Sequence, residues 1–134
     1  MDLAGWIFLD DHELDVWTDG WMRAGDAGFL AEVNGVPVGV AWYRRLPHPI
    51  SQVVLAQASF CVLEEHRGKG IGTALMCLLV NAARVGGETG LGGQVKKKNQ
   101  AALAVCSRVG LEEDREVTQV YSWLDWFWVC KQLP

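Results

Sequence analysis

The pattern of apolar and polar positions in the first half of the chain predicts a sheet. Residues 53–63 (VVLAQASFCVL) are almost continuously apolar, which is typical of a central strand that is covered on both faces. Residues 27–33 predict another strand, the Asn34-Gly35 pair predicts a hairpin turn, and residues 36–45 predict the partner strand. Because proline has no N–H to donate to a neighbouring strand, Pro37 favours an edge strand or the start of a strand.

The second half of the chain predicts two helices. The first runs over residues 70–84 and is ended by the glycine pair at residues 86–87. The second begins at Asn99, a residue type that caps helices, and runs to Val109, with Gly110 in the position that commonly follows a helix.

The remaining segments are less regular. Residues 3–23 carry apolar side chains spaced by three and four, which predicts a short helix, and two prolines predict a loop at residues 46–49. Residues 89–96 predict a weak strand that is diluted by glycines, and residues 116–133 predict one or two antiparallel strands. With 134 residues the chain has the length of a single domain, and the order of elements predicts a mixed α/β fold with helices on both faces of a sheet.

Composition excludes several classes of protein. The longest apolar run, residues 74–80, is far shorter than the roughly 20 residues that cross a bilayer, and the first residues carry no basic segment of a signal peptide. The four cysteines are widely spaced, which predicts free thiols and a cytoplasmic location. A net charge of −4 argues against a general nucleic-acid binder.

The charge is unevenly distributed along the chain. Residues 1–34 hold eight acidic residues and one strong base, whereas residues 35–134 hold eight acidic and eleven basic residues. This asymmetry suggests an acidic face for one partner and a basic face for another. The alternative is that an amphipathic surface helix simply carries the acidic residues.

The segment that carries chemistry is residues 60–75, where a buried strand leads through three closely spaced glycines into a helix. Glycine permits a sharp turn and leaves the main-chain amides accessible, and a helix start is an anion site by itself. Arg67 and Lys69 add positive charge. The segment therefore predicts a site for a phosphate or a diphosphate, the structural alternative being a tight turn that binds no ligand.

Two common nucleotide-binding motifs do not fit this loop. A Walker A loop requires a glycine, four residues and then Gly-Lys-Ser/Thr, and that spacing does not occur. A G-x-G-x-x-G fingerprint that begins at Gly68 would require glycine or alanine where Thr73 stands.

The segment resembles motif A of the GNAT superfamily of acyl-CoA-dependent N-acetyltransferases. The resemblance rests on Arg67-x-x-Gly70-x-Gly72 after the strand, and downstream on Leu91, Val95, Asn99, Ala102, Gly110 and Leu111, so that it spans about residues 27–111. It implies a mixed sheet with splayed central strands and helices on both faces. The first strand of the family is not evident, so the fold is expected to be short at its N-terminus unless residues 3–9 supply part of that strand.

The resemblance also implies acetyl-CoA as cosubstrate and the residues that hold it, with no metal. The main chain of Cys61, Val62 and Leu63 would pair with the pantetheine arm, and Asn99 would lie near the thioester. The diphosphate would be held by the loop amides of Arg67, Gly68, Lys69, Gly70, Ile71, Gly72 and Thr73.

Catalytic residues are expected from the same resemblance, with two departures from the family pattern. The N–H of Val62 would stabilise the carbonyl oxygen. Many members have a tyrosine as general acid where Cys106 stands here; Tyr121 is an alternative acid, and Cys106 could instead form a buried stripe with Ala102 and Val109. Some members have a glutamate base where Gln57 stands, which leaves the base open among the candidates Glu32, Glu64, Asp10, Asp11 and His12.

The acceptor is expected to be a small cationic amine, because carboxylates and tryptophan faces attract cations. The aromatic residues concerned are Trp6, Trp17, Trp21, Trp123, Trp126, Phe127 and Trp128. The alternative is that they pack in the core or in a homodimer interface. The alternative function is a catalytically weak module of the same fold that binds or senses acyl-CoA.

Overall fold

The computed structural model describes residues 27–134, which form a six-stranded sheet in the order β1-β2-β3-β4-β6-β5 with three α-helices. The predicted helix in residues 3–23, with Asp10, Asp11, His12 and three of the tryptophans, lies outside the described residues. The strands are β1 (Ala27–Val33), β2 (Val36–Pro47), β3 (Val54–Val62), β4 (Gly90–Lys96), β5 (Glu112–Glu113) and β6 (Trp126–Gln132). The helices are α1 (Ile71–Val85), α2 (Gln100–Arg108) and α3 (Arg115–Val120), and a 3-10 turn spans Glu64–His66.

The predicted hairpin is confirmed. Asn34 and Gly35 both have positive φ, 52° and 78°, as the favoured two-residue hairpin turn requires. Pro37 lies at the start of β2, where the β1–β2 register shifts between Ala31 and Glu32. Because β2 lies between β1 and β3, the proline marks the start of an interior strand and not an edge strand. The strand also extends to Pro47, so the following loop begins at His48 and not at residue 46 as predicted.

The sheet is divided between β3 and β4. β2 and β3 pair along their whole length, whereas the parallel pairing of β3 with β4 is confined to Ala56↔Leu91 and Gln57↔Gly92. A Cβ atom on Gly93 would lie 2.8 Å from the carbonyl oxygen of Ala58, which explains why this weak-looking strand carries a glycine there. Beyond this close approach the two strands diverge, as the splayed central strands of the expected fold require.

The main core lies between one face of the sheet and α1. Leu75, Met76, Leu79 and Ala83 follow one another at spacings of one, three and four along α1, and all are buried against the sheet. α2 packs against α1 on the same side. The two predicted helices are therefore confirmed. They could be predicted because their apolar stripes and terminal residues are local signals in the sequence.

α3 covers the opposite face of the sheet. Trp128 of β6 is fully buried there, and it packs with Leu55 and Val117. The prediction of strands throughout residues 116–133 is wrong for α3. A carboxylate oxygen of Asp114 accepts from the N–H of Val117 at 3.3 Å and caps the helix, while burial of Val117 against Trp128 outweighs the strand preference of the local sequence.

No helix within residues 27–134 is both long enough and apolar enough to cross a membrane.

Candidate active site

The start of α1 is an uncapped helix end. Its N-cap residue is Gly70, which has a φ of 84° and no side chain that could accept from the first turn. The first intrahelical bond runs from the N–H of Ala74 to the carbonyl oxygen of Gly70 at 3.0 Å. The preceding amides of Ile71, Gly72 and Thr73 therefore have no intrahelical acceptor, and they lie at the positive end of the helix dipole. This arrangement suits an anionic group.

A cleft of about 400 Å³ opens over these amides, between the end of β3, the glycine loop and one face of α2. It contains every residue expected to hold the cofactor except Leu63 and Lys69. Its lining residues are Phe60, Cys61, Val62, His66, Arg67, Gly68, Gly70, Ile71, Gly72, Thr73, Asn99, Ala101, Ala102, Ala104, Val105 and Arg108.

The end of β3 offers main-chain groups to this cleft. The N–H of Leu63 donates to the carbonyl oxygen of Val38 on β2 at 2.8 Å, and its carbonyl oxygen accepts from His66 at 2.9 Å, so Leu63 has no N–H to offer a ligand. Because successive residues of a strand direct these groups to opposite sides, those of Phe60 and Val62 face the gap beside β4. The N–H of Val62, which is expected to donate to the carbonyl oxygen of the thioester, lies on this open side.

Arg67 is held in place by the protein itself. Its Nε donates to the carbonyl oxygen of Val62 at 2.9 Å. The sequence suggested a mobile charge beside Lys69, whereas the side chain ties the glycine loop to the end of β3.

A second cleft of about 500 Å³ lies between the diverging strands β3 and β4, and we call this cleft the wedge. It shares Phe60, Asn99 and Ala102 with the first cleft, so the two clefts adjoin at these residues. Asn99 stands at the junction, where its side-chain oxygen caps α2 by accepting from the N–H of Ala102 at 3.0 Å.

The polar rim of the wedge is positively charged. Lys96 lines it, together with Ser59, Gln94 and Trp126. Lys97 and Lys98 follow in the chain, and the Nζ atom of Lys97 lies 5.6 Å from the centre of the Phe127 ring. Among residues 27–134, none of these three lysines forms a salt bridge. The rim therefore favours an anionic group.

Cys106 lies deep in the wedge and belongs to the main core, where only 3% of its surface is exposed. Ala102 and Val109, the residue after α2, are partly buried and pack against the same core, so the three residues form the expected stripe. Burial raises the pKa of the Cys106 thiol to about 11.

The other expected acid–base groups lie away from both clefts. Tyr121 follows α3 and stacks on Trp126 with ring centres 6.0 Å apart, but it lines neither cleft. Glu32 is exposed on β1, and Glu64 is exposed in the 3-10 turn. Gln57, which stands where some members have a glutamate, donates from its amide to the carbonyl oxygen of Pro47 at 3.0 Å.

No aspartate or glutamate of the described chain lines either cleft. The ionisable side chains that do are Cys61, His66, Arg67, Lys96, Cys106 and Arg108. Over the same residues, no cluster of three or more histidine, cysteine or acidic side chains could hold a metal ion.

Sequence reasoning missed the wall that α2 contributes. Ala101, Ala104, Val105 and Arg108 line the first cleft at the spacings of one helical face. That periodicity is readable in the sequence, and the small alanines are consistent with a ligand lying close to the helix. Lys96 and Ser59 of the wedge had no such local signal, because only the divergence of β3 and β4 brings them together.

Known proteins share this architecture. The model of the acetyltransferase (GNAT) family matches residues 3–111. L-amino acid N-acyltransferase MnaT of Escherichia coli (strain K12) is 27% identical over 121 residues, which make up 87% of this chain and 70% of that protein. Two solved structures are also similar. Ribosomal-protein-alanine N-acetyltransferase from Brucella melitensis has a TM-score of 0.75 at 26% identity and covers 98% of this chain and 85% of its own.

The second structure is an acetyltransferase from Salmonella typhimurium with its cofactor acetyl-CoA. It has a TM-score of 0.77 at 22% identity and covers 94% of this chain and 75% of its own. The family match includes the loop, α1 and α2, and it ends before α3 and β6.

Proposed function

The chain belongs to the GNAT acetyltransferase family, and from this premise we propose that it transfers the acetyl group of acetyl-CoA to the primary amine of a small acceptor. The observation that carries the proposal is that the two clefts adjoin. An uncapped helix start for a diphosphate, an open strand edge and a wedge meet at Phe60 and Asn99.

The residues present fit the cosubstrate. The amides of Ile71, Gly72 and Thr73 would hold the diphosphate, and the glycines at 68 and 70 leave open space where a side chain would otherwise stand. The open main-chain groups of Phe60 and Val62 would pair with the amides of the pantetheine arm. Asn99, at the junction of the clefts, would lie near the thioester.

When bound, acetyl-CoA supplies a thioester carbonyl that the acceptor nitrogen attacks, so that a C–N bond forms and the C–S bond breaks. The protein would hold the two reactants in adjoining clefts, and orientation of this kind contributes several kcal/mol. The N–H of Val62 donates to the carbonyl oxygen as negative charge develops on it.

Two proton transfers complete the reaction. The acceptor ammonium must lose a proton, and within residues 27–134 His66 and water are the candidate acceptors of that proton, because no carboxylate lines the clefts. The departing thiolate must gain one. An ordinary thiol has a pKa of 9.0, so donation from Cys106, with a pKa of about 11, is uphill by about 3 kcal/mol. This difference favours packing as the role of Cys106.

Two acceptor classes are candidates. The acidic residues and tryptophans near the N-terminus support a small cationic amine, although most of them lie outside the described residues. Lys96 on the rim, which Lys97 and Lys98 follow in the chain, supports an amino acid, whose carboxylate would bind there while its amine faces the thioester. The name of the Escherichia coli relative, an L-amino acid N-acyltransferase, supports the second class.

The test is thiol release from acetyl-CoA over a matched panel of amines. The panel contains diamines and polyamines, a set of L-amino acids, and the carboxamide of each amino acid, which keeps the amine and removes the negative charge. Turnover that depends on the acceptor is the expected result. A preference for the acids over their carboxamides would assign the amino-acid class, whereas polyamine turnover would assign the cationic class.

Calorimetry of acetyl-CoA binding accompanies the panel. Binding without turnover of any amine would contradict the enzymatic proposal, and the absence of binding would contradict the assignment of the first cleft.

A further inference from the structure

Arg67 connects the two functional halves of the first cleft. It stands immediately before the glycine loop, and its Nε donates to the carbonyl oxygen of Val62 at 2.9 Å. Val62 is the last residue of β3 and presents its N–H to the thioester end of the cleft. One side chain therefore joins the part that would hold the diphosphate to the part that would stabilise the reacting carbonyl.

The segment between these two residues is closed by hydrogen bonds. The N–H of His66 donates to Leu63 at 2.9 Å, and the N–H of Arg67 donates to Glu64 at 3.2 Å. The side chain of Arg67 then returns to Val62, five residues back. The position of Val62 relative to the loop is thus fixed at several points.

The carbonyl of Val62 requires a partner because of the splay. In a continuous sheet the groups on this side of β3 would bond to β4, but that pairing is confined to Ala56 and Gln57. A partly buried carbonyl without a partner is unfavourable. Arg67 supplies the missing donor and holds residue 62 extended, so that its N–H stays on the same open side as its carbonyl oxygen.

We propose that Arg67 is a positioning residue that directs the N–H of Val62 toward the reacting carbonyl through its own hydrogen bond to the Val62 carbonyl oxygen. The inference rests on the proposed acetyl transfer and deepens it. On this proposal Arg67 affects the rate of the chemical step. If Arg67 instead contacted the diphosphate directly, it would affect the affinity for the cofactor.

Two substitutions of nearly equal length separate these roles. Glutamine places its amide nitrogen the same number of bonds from Cα as the Nε of arginine, so Arg67→Gln keeps a donor and loses the charge. Arg67→Met loses both the donor and the charge. Because both variants lack the charge, any difference between them reports the hydrogen bond.

We expect kcat of Arg67→Gln within about threefold of the wild type and kcat of Arg67→Met lower by about 10- to 100-fold, since a misplaced donor costs about that much. KM for acetyl-CoA should change equally in the two variants. Equal kcat values for glutamine and methionine, with KM raised in both, would overturn the proposal and assign Arg67 to the diphosphate.

Arg67→Gln alone keeps the inference falsifiable if the methionine variant does not fold. A large loss of kcat in a folded glutamine variant that still binds coenzyme A would contradict a role that depends on the donor. If the wild type itself shows no turnover, the proposed function fails, and this assignment falls with it. If the wild type is active and Arg67→Met equals it, only this assignment fails.

Discussion

The starts of α1 and α2 line the same cleft, but the sequence treats them in opposite ways. α2 begins after Asn99, whose side chain accepts from the N–H of Ala102 at 3.0 Å. α1 begins after Gly70, which offers no side-chain cap. α3, away from both clefts, is capped by Asp114. A capping side chain stabilises a helix by about 1 kcal/mol, so the start of α1 lacks a contribution that the other two helices have.

This difference shows where an anion is expected to bind. The amides of Ile71, Gly72 and Thr73 are left to a ligand, and the glycines around them keep the approach open. At the start of α2, the N–H of Ala102 already donates to the side-chain oxygen of Asn99, so Asn99 can bind a ligand only through its side-chain NH₂ group. The comparison therefore predicts large effects on cofactor affinity at α1 and smaller, mixed effects at α2.

The largest effect is expected from Gly70→Glu. The substitution places a negative side chain at the uncapped helix start, and it also forces a residue with Cβ into a φ of 84°. We expect acetyl-CoA affinity, measured by calorimetry, to fall by about a hundredfold or more, because the carboxylate competes with the diphosphate for the same amides.

Gly87→Glu is the matched control for this prediction. Gly87 follows the other end of α1, has a φ of 76°, and also has open space around it, so the backbone strain and the added charge are alike. Both variants should lose thermal stability, Gly87→Glu somewhat more because its carboxylate lies at the negative end of the helix dipole, but Gly87→Glu should still bind acetyl-CoA. Equal affinities in the two variants would contradict the assignment of the anion site to the start of α1.

The buried face of α2 gives the next prediction, which concerns pH. Burial raises the pKa of Cys106 from 9.0 to about 11, so between these values the unfolded chain releases a proton that the folded chain retains. The contribution of this thiol to the free energy of unfolding is therefore fully present below pH 9. It falls by about 2–3 kcal/mol as the pH rises toward 11. Cys106→Val removes this loss.

Urea denaturation at pH 8 and at pH 10.5 measures the effect. The wild type should lose more free energy of unfolding than Cys106→Val over this interval, while both keep most of their turnover at neutral pH. A large fall in turnover of the valine variant, with acetyl-CoA affinity retained, would instead assign the thiol to catalysis.

Local signals in the sequence predicted the start of α1 well. The turn at Asn34 and Gly35, the glycines before α1 and the cap at Asn99 each depend on the conformation of a few neighbouring residues. The same is true of the apolar stripes on the two longer helices. The half of the first cleft that residues 60–73 form could therefore be predicted in outline, because it is built from one continuous segment, whereas the wall from α2 was missed.

The parts that were missed depend on tertiary structure. The divergence of β3 from β4 decides that Lys96 and Ser59 face one cavity, and no local pattern encodes it. The bond from Arg67 to Val62 arises because that divergence leaves a carbonyl without a strand partner. The segment of α3 was predicted as strand from its local sequence preference. Packing of the helix against Trp128 outweighs that preference in the structure.

The basic residues before α2 extend the comparison from the cofactor to the acceptor. Under the proposed assignment the anion at α1 is the diphosphate of the cofactor, and the anion at Lys96 is the carboxylate of the acceptor. If the acceptor is an amino acid, Lys96→Glu should lower kcat/KM for it by about tenfold or more, since a charge-assisted hydrogen bond contributes roughly 1.5–3 kcal/mol. The carboxamide of the same amino acid should be affected much less, and an equal loss for both would contradict the assignment.

The smallest effect is expected at Asn99, where the helix cap and the ligand contact can be separated. Asn99→Ala removes the cap and should lower the free energy of unfolding by about 1 kcal/mol. Asn99→Ser keeps a capping oxygen and should restore that stability, but it lacks the amide donor near the thioester. If Asn99 only caps α2, the serine variant will match the wild type in KM for acetyl-CoA and in kcat. If the donor also binds the cofactor, as we expect, KM will rise a fewfold in both variants, although only the alanine variant is less stable. The effect stays small because the protein already uses one side of Asn99 for itself, whereas at Gly70 the amides are left entirely to the ligand.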